Sequence, residues 1–153
     1  MAFETYHSRQ PLADLLPGAE SLLTRLIRSG CSHSVLSLSA HKGLVHHISH
    51  LGIGPLFLRV DGRTGPSVRS KKQLLARHLS ALHQTIGARP IVLIGDAVDD
   101  ARAALANQIH SVSFTGGLTH PDVLRSSGVS IAESLAEAAA LAVEYAHTAG
   151  PSR

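Results

Sequence analysis

Three carboxylates, a hydroxyl and a lysine carry the chemistry that this sequence offers. The carboxylates are Asp96, Asp99 and Asp100, in the run I-V-L-I-G-D-A-V-D-D-A-R-A-A-L-A from Ile91 to Ala106. Oxygen ligands gathered this closely suit a hard cation such as Mg²⁺. A plainer reading stands beside it: Asp99 and Asp100 sit in a first helical turn, where negative charge suits the dipole, and Asp96 makes a solvated turn. The hydroxyl is Ser37, in S-V-L-S-L-S-A. With Leu38 and the backbone N–H groups of the following turn it can hold a phosphoryl oxygen, although serine at such a turn is ordinarily a cap. The lysine is Lys71, with Lys72 beside it, at the start of a helix where a cation opposes the dipole. Two solvated surface lysines are the alternative. Each signal is weak alone, but a hydroxyl, a lysine and a cation-binding acidic group near strand ends and loops together make a phosphate site.

Those residues work together only if the elements deliver them to one edge. Ile91 to Ile94 is an apolar, largely β-branched run that suits a strand buried on both faces, and Gly95 breaks it. Acidic groups at the C-terminal end of such a strand lie where open α/β sheets place their ligands. The remaining pattern alternates in the same way. Segment 1–18 reads as loop, with breaks at Pro11 and Pro17. Helices are expected over Ala19–Ser29, His41–His50, Lys71–His83, from Ala101, Pro121–Ser126 and Leu135–Ala146. Strands are expected over Ser34–Leu38, Leu56–Val60 and Ser111–Phe114, with Asp61–Ser67 a loop and Thr115-Gly116-Gly117 a turn. The alternation argues for an α/β fold, a parallel sheet with helices on both faces and right-handed crossovers. No G-x-G-x-x-G follows a strand and there is no P-loop, so the usual nucleotide fingerprints are missing.

Composition narrows the class. The chain has 153 residues, enough for one core, and is 44% hydrophobic with only 3% aromatic residues, so the core must be aliphatic. Fourteen basic and eleven acidic residues give a net charge of +3, spread along the chain, with no clustered basic face for nucleic acid. A single cysteine, Cys31, excludes an internal disulfide and fits a reducing compartment. No apolar run reaches the ~20 residues that span a membrane, and the polar start M-A-F-E-T-Y-H-S-R-Q has no signal-peptide core; a cytoplasmic location is expected. Of the eleven histidines, His46 and His50 have the i, i+4 spacing that can clasp Zn²⁺, with His47 between them. Neither an H-E-x-x-H pattern nor a cysteine pair accompanies them, so a polar helix face is the expected reading.

The order Ser37, Lys71, then G-D-A-V-D-D at Gly95 to Asp100 resembles motifs II, III and IV of the haloacid dehalogenase (HAD) superfamily. The flanking text V-L-S-L-S-A-H, L-G-I-G-P-L-F, K-K-Q-L-L-A-R-H-L and S-F-T-G-G is similar to that of its phosphoglycolate-phosphatase-like hydrolases. The resemblance runs from about Pro17 to Ala142. It implies a Rossmann-like core over 17–149, after an N-terminal segment 1–16 left from a cap-to-core linker and before a tail 150–153. It implies that Ser37 binds the transferring phosphoryl group, with Leu38 beside it, and that Lys71, or Lys72 in its stead, stabilises the charge. It implies Asp96 as a Mg²⁺ ligand, Asp100 as the second acidic position and Asp99 as its substitute.

The family's D-x-D-G-T strand, whose first aspartate is the nucleophile, has no counterpart here. Asp14 lies between prolines with no strand before it. In L-R-V-D-G-R-T, Arg59 stands at the nucleophile's place, and Asp61 is the next carboxylate to consider. The cap, which selects the substrate, is absent as well. The expectation is therefore a partial core with its first strand missing, weak Mg²⁺ binding, and a truncated or split phosphatase inactive on its own. Its partners would be a phosphorylated small molecule once completed, and a chain supplying the strand or a second copy of itself. The alternative is a non-catalytic binding or scaffold protein. A vacant central slot exposes unpaired backbone groups at roughly 1–3 kcal/mol each, so repacking or a partner must follow.

Overall fold

Runs of β-branched residues separated by amphipathic segments give, in the computed structural model of the chain, one six-stranded parallel sheet. The structure describes residues 2–3, 15, 17–65, 70–115 and 130–149. In chain order the elements are β1 (Ala2–Phe3), α1 (Ala19–Arg28), β2 (Ser34–Ala40), α2 (His41–His50), β3 (Arg59–Arg63), α3 (Lys71–Ile86), β4 (Val92–Gly95), α4 (Val98–Ala106), β5 (His110–Phe114), β6 (Ser130–Ala132) and α5 (Leu135–Ala149). The strand order is β3-β2-β1-β4-β5-β6, and every pairing is parallel.

β4 shows why the sheet is covered on both sides. Leu93 packs with Leu36, Leu75, Leu79 of α3 and Ala104 of α4. Its neighbours Val92 and Ile94 point the other way, onto Ala138 and Ala142 of α5. All four residues of β4 are buried, as expected of a parallel strand between two helical layers. No described helix is long and apolar enough to cross a membrane.

The centre of the sheet departs from the sequence expectation. The first strand is not missing outright: β1 lies between β2 and β4, with Ala2 level with both Ser34 and Leu93, and Phe3 with Val35. Two residues thereby satisfy backbone groups that a vacant slot would leave unpaired. Other boundaries move too. β3 begins at Arg59, not Leu56, because Gly54–Leu56 forms a 3₁₀ turn and the Leu58 N–H donates to the His33 carbonyl at 2.8 Å. Asp61 is therefore a strand residue and not part of a loop. β2 continues through Leu38 to Ala40, α4 starts three residues earlier than Ala101, and β6 adds an unforeseen edge strand. The helix expected over Pro121–Ser126 lies outside the described residues.

Candidate functional site

The C-terminal end of β4 is closed by a glycine for a steric reason. A methyl group on Gly95 would meet Cβ and Cγ of Asp100 at 2.5 Å, so only glycine lets that carboxylate fold back over the strand end. Asp100 lies in the first turn of α4. Its Oδ2 accepts from the Ala97 N–H at 3.1 Å, which satisfies a helix-start donor. Its Oδ1 lies 3.1 Å from Lys71 Nζ, and both side chains are about 95% buried. Asp100 thus caps the helix start, as the plainer reading expects, and also pairs with Lys71, which the sequence analysis did not foresee.

Lys71 is the first residue of α3, whose N-cap Ser70 accepts from the Gln73 N–H at 3.2 Å. Burial pushes the ammonium pKa down, and the charges of Asp100, then Asp96 and Asp99, work against that shift. A lysine at a helix start, unfavourable in isolation, is compensated by this acidic group. Asn107 reinforces the arrangement, donating to the Lys72 carbonyl at 3.2 Å and so tying the end of α4 to the start of α3. Lys72 itself is exposed. Asp99 is exposed as well, 3.9 Å from Arg102. The structure thus brings Lys71 to Asp100, and leaves Lys72 and Asp99 outside that contact.

Ser37 reaches this end of the sheet from the other side of β1. Ser34 and Leu93 share a level through Ala2; Ser37 lies three residues further along β2, and Asp96 just past the end of β4. Ser37 is fully buried, fourth of the seven residues of β2 rather than near the strand end. Its hydroxyl accepts from the Ser39 N–H at 3.1 Å and donates to Ser39 Oγ at 3.0 Å. Leu38 next to it is partly exposed, and its carbonyl accepts from Arg63 Nε at 3.3 Å. Asp96 is half-buried. Among the described residues, no group of three or more His, Cys, Asp or Glu side chains is placed to hold a metal. A Mg²⁺ ion held by one or two carboxylates, with water and phosphate oxygens completing its shell, needs fewer; Asp96 fits that role. Asp100 fits it less well, since both its oxygens are engaged.

Asp61 is committed elsewhere. Its Oδ2 accepts from Arg59 Nε and from His78 Nδ1, each at 2.6 Å, and His78 Nε2 lies 2.7 Å from Ser34 Oγ. Burial by itself would raise its pKa; the hydrogen bonds and charges of His78 and Arg59 outweigh this and hold the carboxyl below its ordinary value. This buried Ser34–His78–Asp61 chain joins β2, α3 and β3. The sequence does carry a signal for it: His78 interrupts the apolar stripe Leu74, Leu75, Leu79, Leu82. His46 and His50 are exposed and His47 is buried, so the three share no cluster.

No protein-family model matches the chain, and no curated protein matches it in sequence. Solved structures do. A haloacid dehalogenase-like family hydrolase from Streptococcus pneumoniae superposes with a TM-score of 0.73 at 19% identity, over 84% of this chain and 60% of that one. A predicted phosphoglycolate phosphatase from Haemophilus somnus gives 0.71 at 20%, over 85% and 59%. The protein tyrosine kinase A of Mycobacterium tuberculosis gives 0.71 at 24%, over 84% and 61%. The chain therefore has the Rossmann-like fold of haloacid dehalogenase-type proteins, phosphoglycolate-phosphatase-like ones among them, and spans about 60% of the length of these structures.

Proposed function

We propose that this chain is a phosphoryl-binding core of haloacid dehalogenase-type phosphatase lineage, and that residues 1–153 alone do not turn over a phosphate monoester. The observation that carries the reading is the buried Lys71–Asp100 pair at the C-terminal end of β4, with the charge of Asp96 acting on the same lysine. Lysine, serine hydroxyl and helix-start N–H groups are the kinds of donor that position a phosphoryl group and stabilise its charge. Asp96 would hold Mg²⁺, and the ion when bound would supply positive charge against the phosphate. What the set lacks is a nucleophile: the sequence after Phe3 reads Glu4-Thr5-Tyr6, with no D-x-D-G-T in the chain. A small phosphorylated metabolite is the proposed ligand, and the missing carboxylate comes from a different partner chain; a second copy of this chain is the other proposed partner. The protein works in the cytoplasm.

The test has two arms. Mg²⁺ with inorganic phosphate raises the melting temperature of the wild type and does not raise that of Asp96→Asn; equal responses sink the metal assignment. Hydrolysis of phosphoglycolate or p-nitrophenyl phosphate by the purified chain stays far below about 1 s⁻¹, an ordinary enzyme rate. Turnover at that rate, abolished by Asp96→Asn or Lys71→Ala, overturns the reading of an incomplete site.

A second reading, a non-catalytic binding or scaffold protein, is favoured by Asp100. With Oδ1 on Lys71 and Oδ2 on the Ala97 N–H, the pair works as a clamp between α3 and α4 whether or not anything binds. Under it, neither phosphate nor Mg²⁺ shifts the melting temperature.

A further inference from the structure

The pairing between β2 and β3 loses its step at Ser37. Leu36 stands opposite Asp61 and Ala40 opposite Arg63, so Ser37, Leu38 and Ser39 together face the single residue Gly62. The surplus makes β2 bulge. A bulge bends its strand and re-aims the side chain it carries, and bulges gather beside functional sites. This one carries Ser37, the hydroxyl of the proposed phosphoryl site. Its Leu38 carbonyl accepts from Arg63 Nε at 3.3 Å, and the Ser37 hydroxyl accepts from the Ser39 N–H at 3.1 Å and donates to Ser39 Oγ at 3.0 Å.

A side chain from the next element closes the bulge against β3. His41 is the first residue of α2, and its Nδ1 accepts from the Gly62 N–H at 3.0 Å. Gly62 is buried, and a buried N–H needs an acceptor. A backbone N–H can only donate, so Nδ1 presents its lone pair and the neutral ring carries its proton on Nε2. Gly62 is fitted to this contact. A methyl group there would lie 2.6 Å from the His41 Cα and 2.8 Å from the Ser39 carbonyl oxygen. The missing side chain lets β3 press against the far end of the bulge, and the imidazole clasps it there.

We propose that His41 is a positioning residue of the phosphoryl site: its Nδ1 latches Gly62, and the latch fixes the β2 bulge in the form in which Ser37 meets a phosphoryl oxygen. The ring acts through the backbone and not by touching the ligand. It ties the start of α2 to β3 across the three bulged residues. Without an acceptor at that point the Gly62 N–H turns to another partner, β3 shifts, and Ser37 loses its fixed direction. What the latch requires is an acceptor atom in one place, not a charge and not an aromatic ring. The inference deepens the proposed function and rests on it for the ligand, whereas the latch itself rests on the geometry.

Three variants separate these requirements. Asparagine puts an acceptor oxygen close to where Nδ1 stands, the amide of glutamine falls nearer to Nε2, and phenylalanine keeps a ring without an acceptor. Affinity for inorganic phosphate in the presence of Mg²⁺ is measured by calorimetry on the full chain. His41→Phe and His41→Gln should bind about fivefold more weakly than the wild type, and His41→Asn within about twofold of it. Hydrogen exchange at the Gly62 amide, followed by NMR without ligand, reads the latch directly. It should quicken about tenfold in His41→Phe and His41→Gln and stay near the wild-type rate in His41→Asn. The wild-type ring should show the nitrogen shifts of an unprotonated Nδ1. The decisive pair is His41→Gln against His41→Asn, because the two differ only in the reach of the same amide. Equal phosphate affinity in the wild type and His41→Gln overturns the positioning role, and so does equal weakening in all three variants, which makes His41 a packing residue only. Unchanged exchange at Gly62 in His41→Gln, or a protonated Nδ1 in the neutral wild-type ring, overturns the latch while phosphate binding by the wild type leaves the proposed function standing. A wild type that binds no phosphate overturns the proposed function and the positioning role together.

Discussion

At the scale of single residues, position rather than type decides what each charge is worth. Lys71 and Asp100 are both buried, and removing one leaves the other's charge uncompensated in the interior. Lys71→Met should therefore cost about 3–5 kcal/mol, measured by urea unfolding, whereas Asp99→Asn, at an exposed carboxylate, should stay within about 0.5 kcal/mol. Similar losses for the two would mean that the buried pair has no special role. His33 gives a pH signature. Its folded pKa of about 4 lies below the ordinary histidine value of 6.5, so the unfolded chain binds a proton in that window while the folded chain does not. Its contribution is fully present above pH 6.5 and is lost as pH falls toward 4. After discounting for partial solvent screening, the loss should be about 1–2 kcal/mol. His33→Phe should flatten that slope between pH 7 and 4.5, and an unchanged slope would assign it to other groups.

At the scale of elements, legibility followed the density of the apolar signal. β4, α1, α2 and the start of α3 were readable because Ile91–Ile94, Leu22–Leu26, Leu44 and Leu74–Leu75 repeat with the period of their element. β3 was misplaced because it is an edge strand. Its sequence R-V-D-G-R has one large apolar residue, and the apolar run before it, Leu56 to Leu58, belongs to a turn. β1 and β6, at two and three residues, are too short to show a period, and only pairing to distant strands makes them. The site divided in the same way. Lys71, Asp96 and Asp100 were singled out through the resemblance of their order to family motifs, and the burial of Lys71 against Asp100 was not foreseen; Gly95 as the residue that admits Asp100, and Ser34–His78–Asp61 as one chain, exist only once β2, β3 and α3 are packed together. That chain yields its own prediction. His78→Ala opens a hole and leaves Asp61 and Ser34 short of a partner, so about 3 kcal/mol should be lost. Hydrogen exchange should rise first in α3. Unchanged protection there would mean that the apolar stripe alone holds that helix.

At the scale of the whole molecule, the sheet consists, among the described residues, of two parallel blocks, β3-β2 and β4-β5-β6, with β1 between them. The α3 helix is the other bridge, packing on Leu36 from one block and Leu93 from the other. In mechanical terms β1 is a seam, gripped among the described residues by Ala2 and Phe3. Each block is held by three or more residues of pairing per ladder, and the seam by two residues on one side and one on the other. Force applied at the N-terminus of the chain and at α5 should therefore release β1 before either block yields. A single-molecule pulling trace should show a small, low-force step preceding the main rupture.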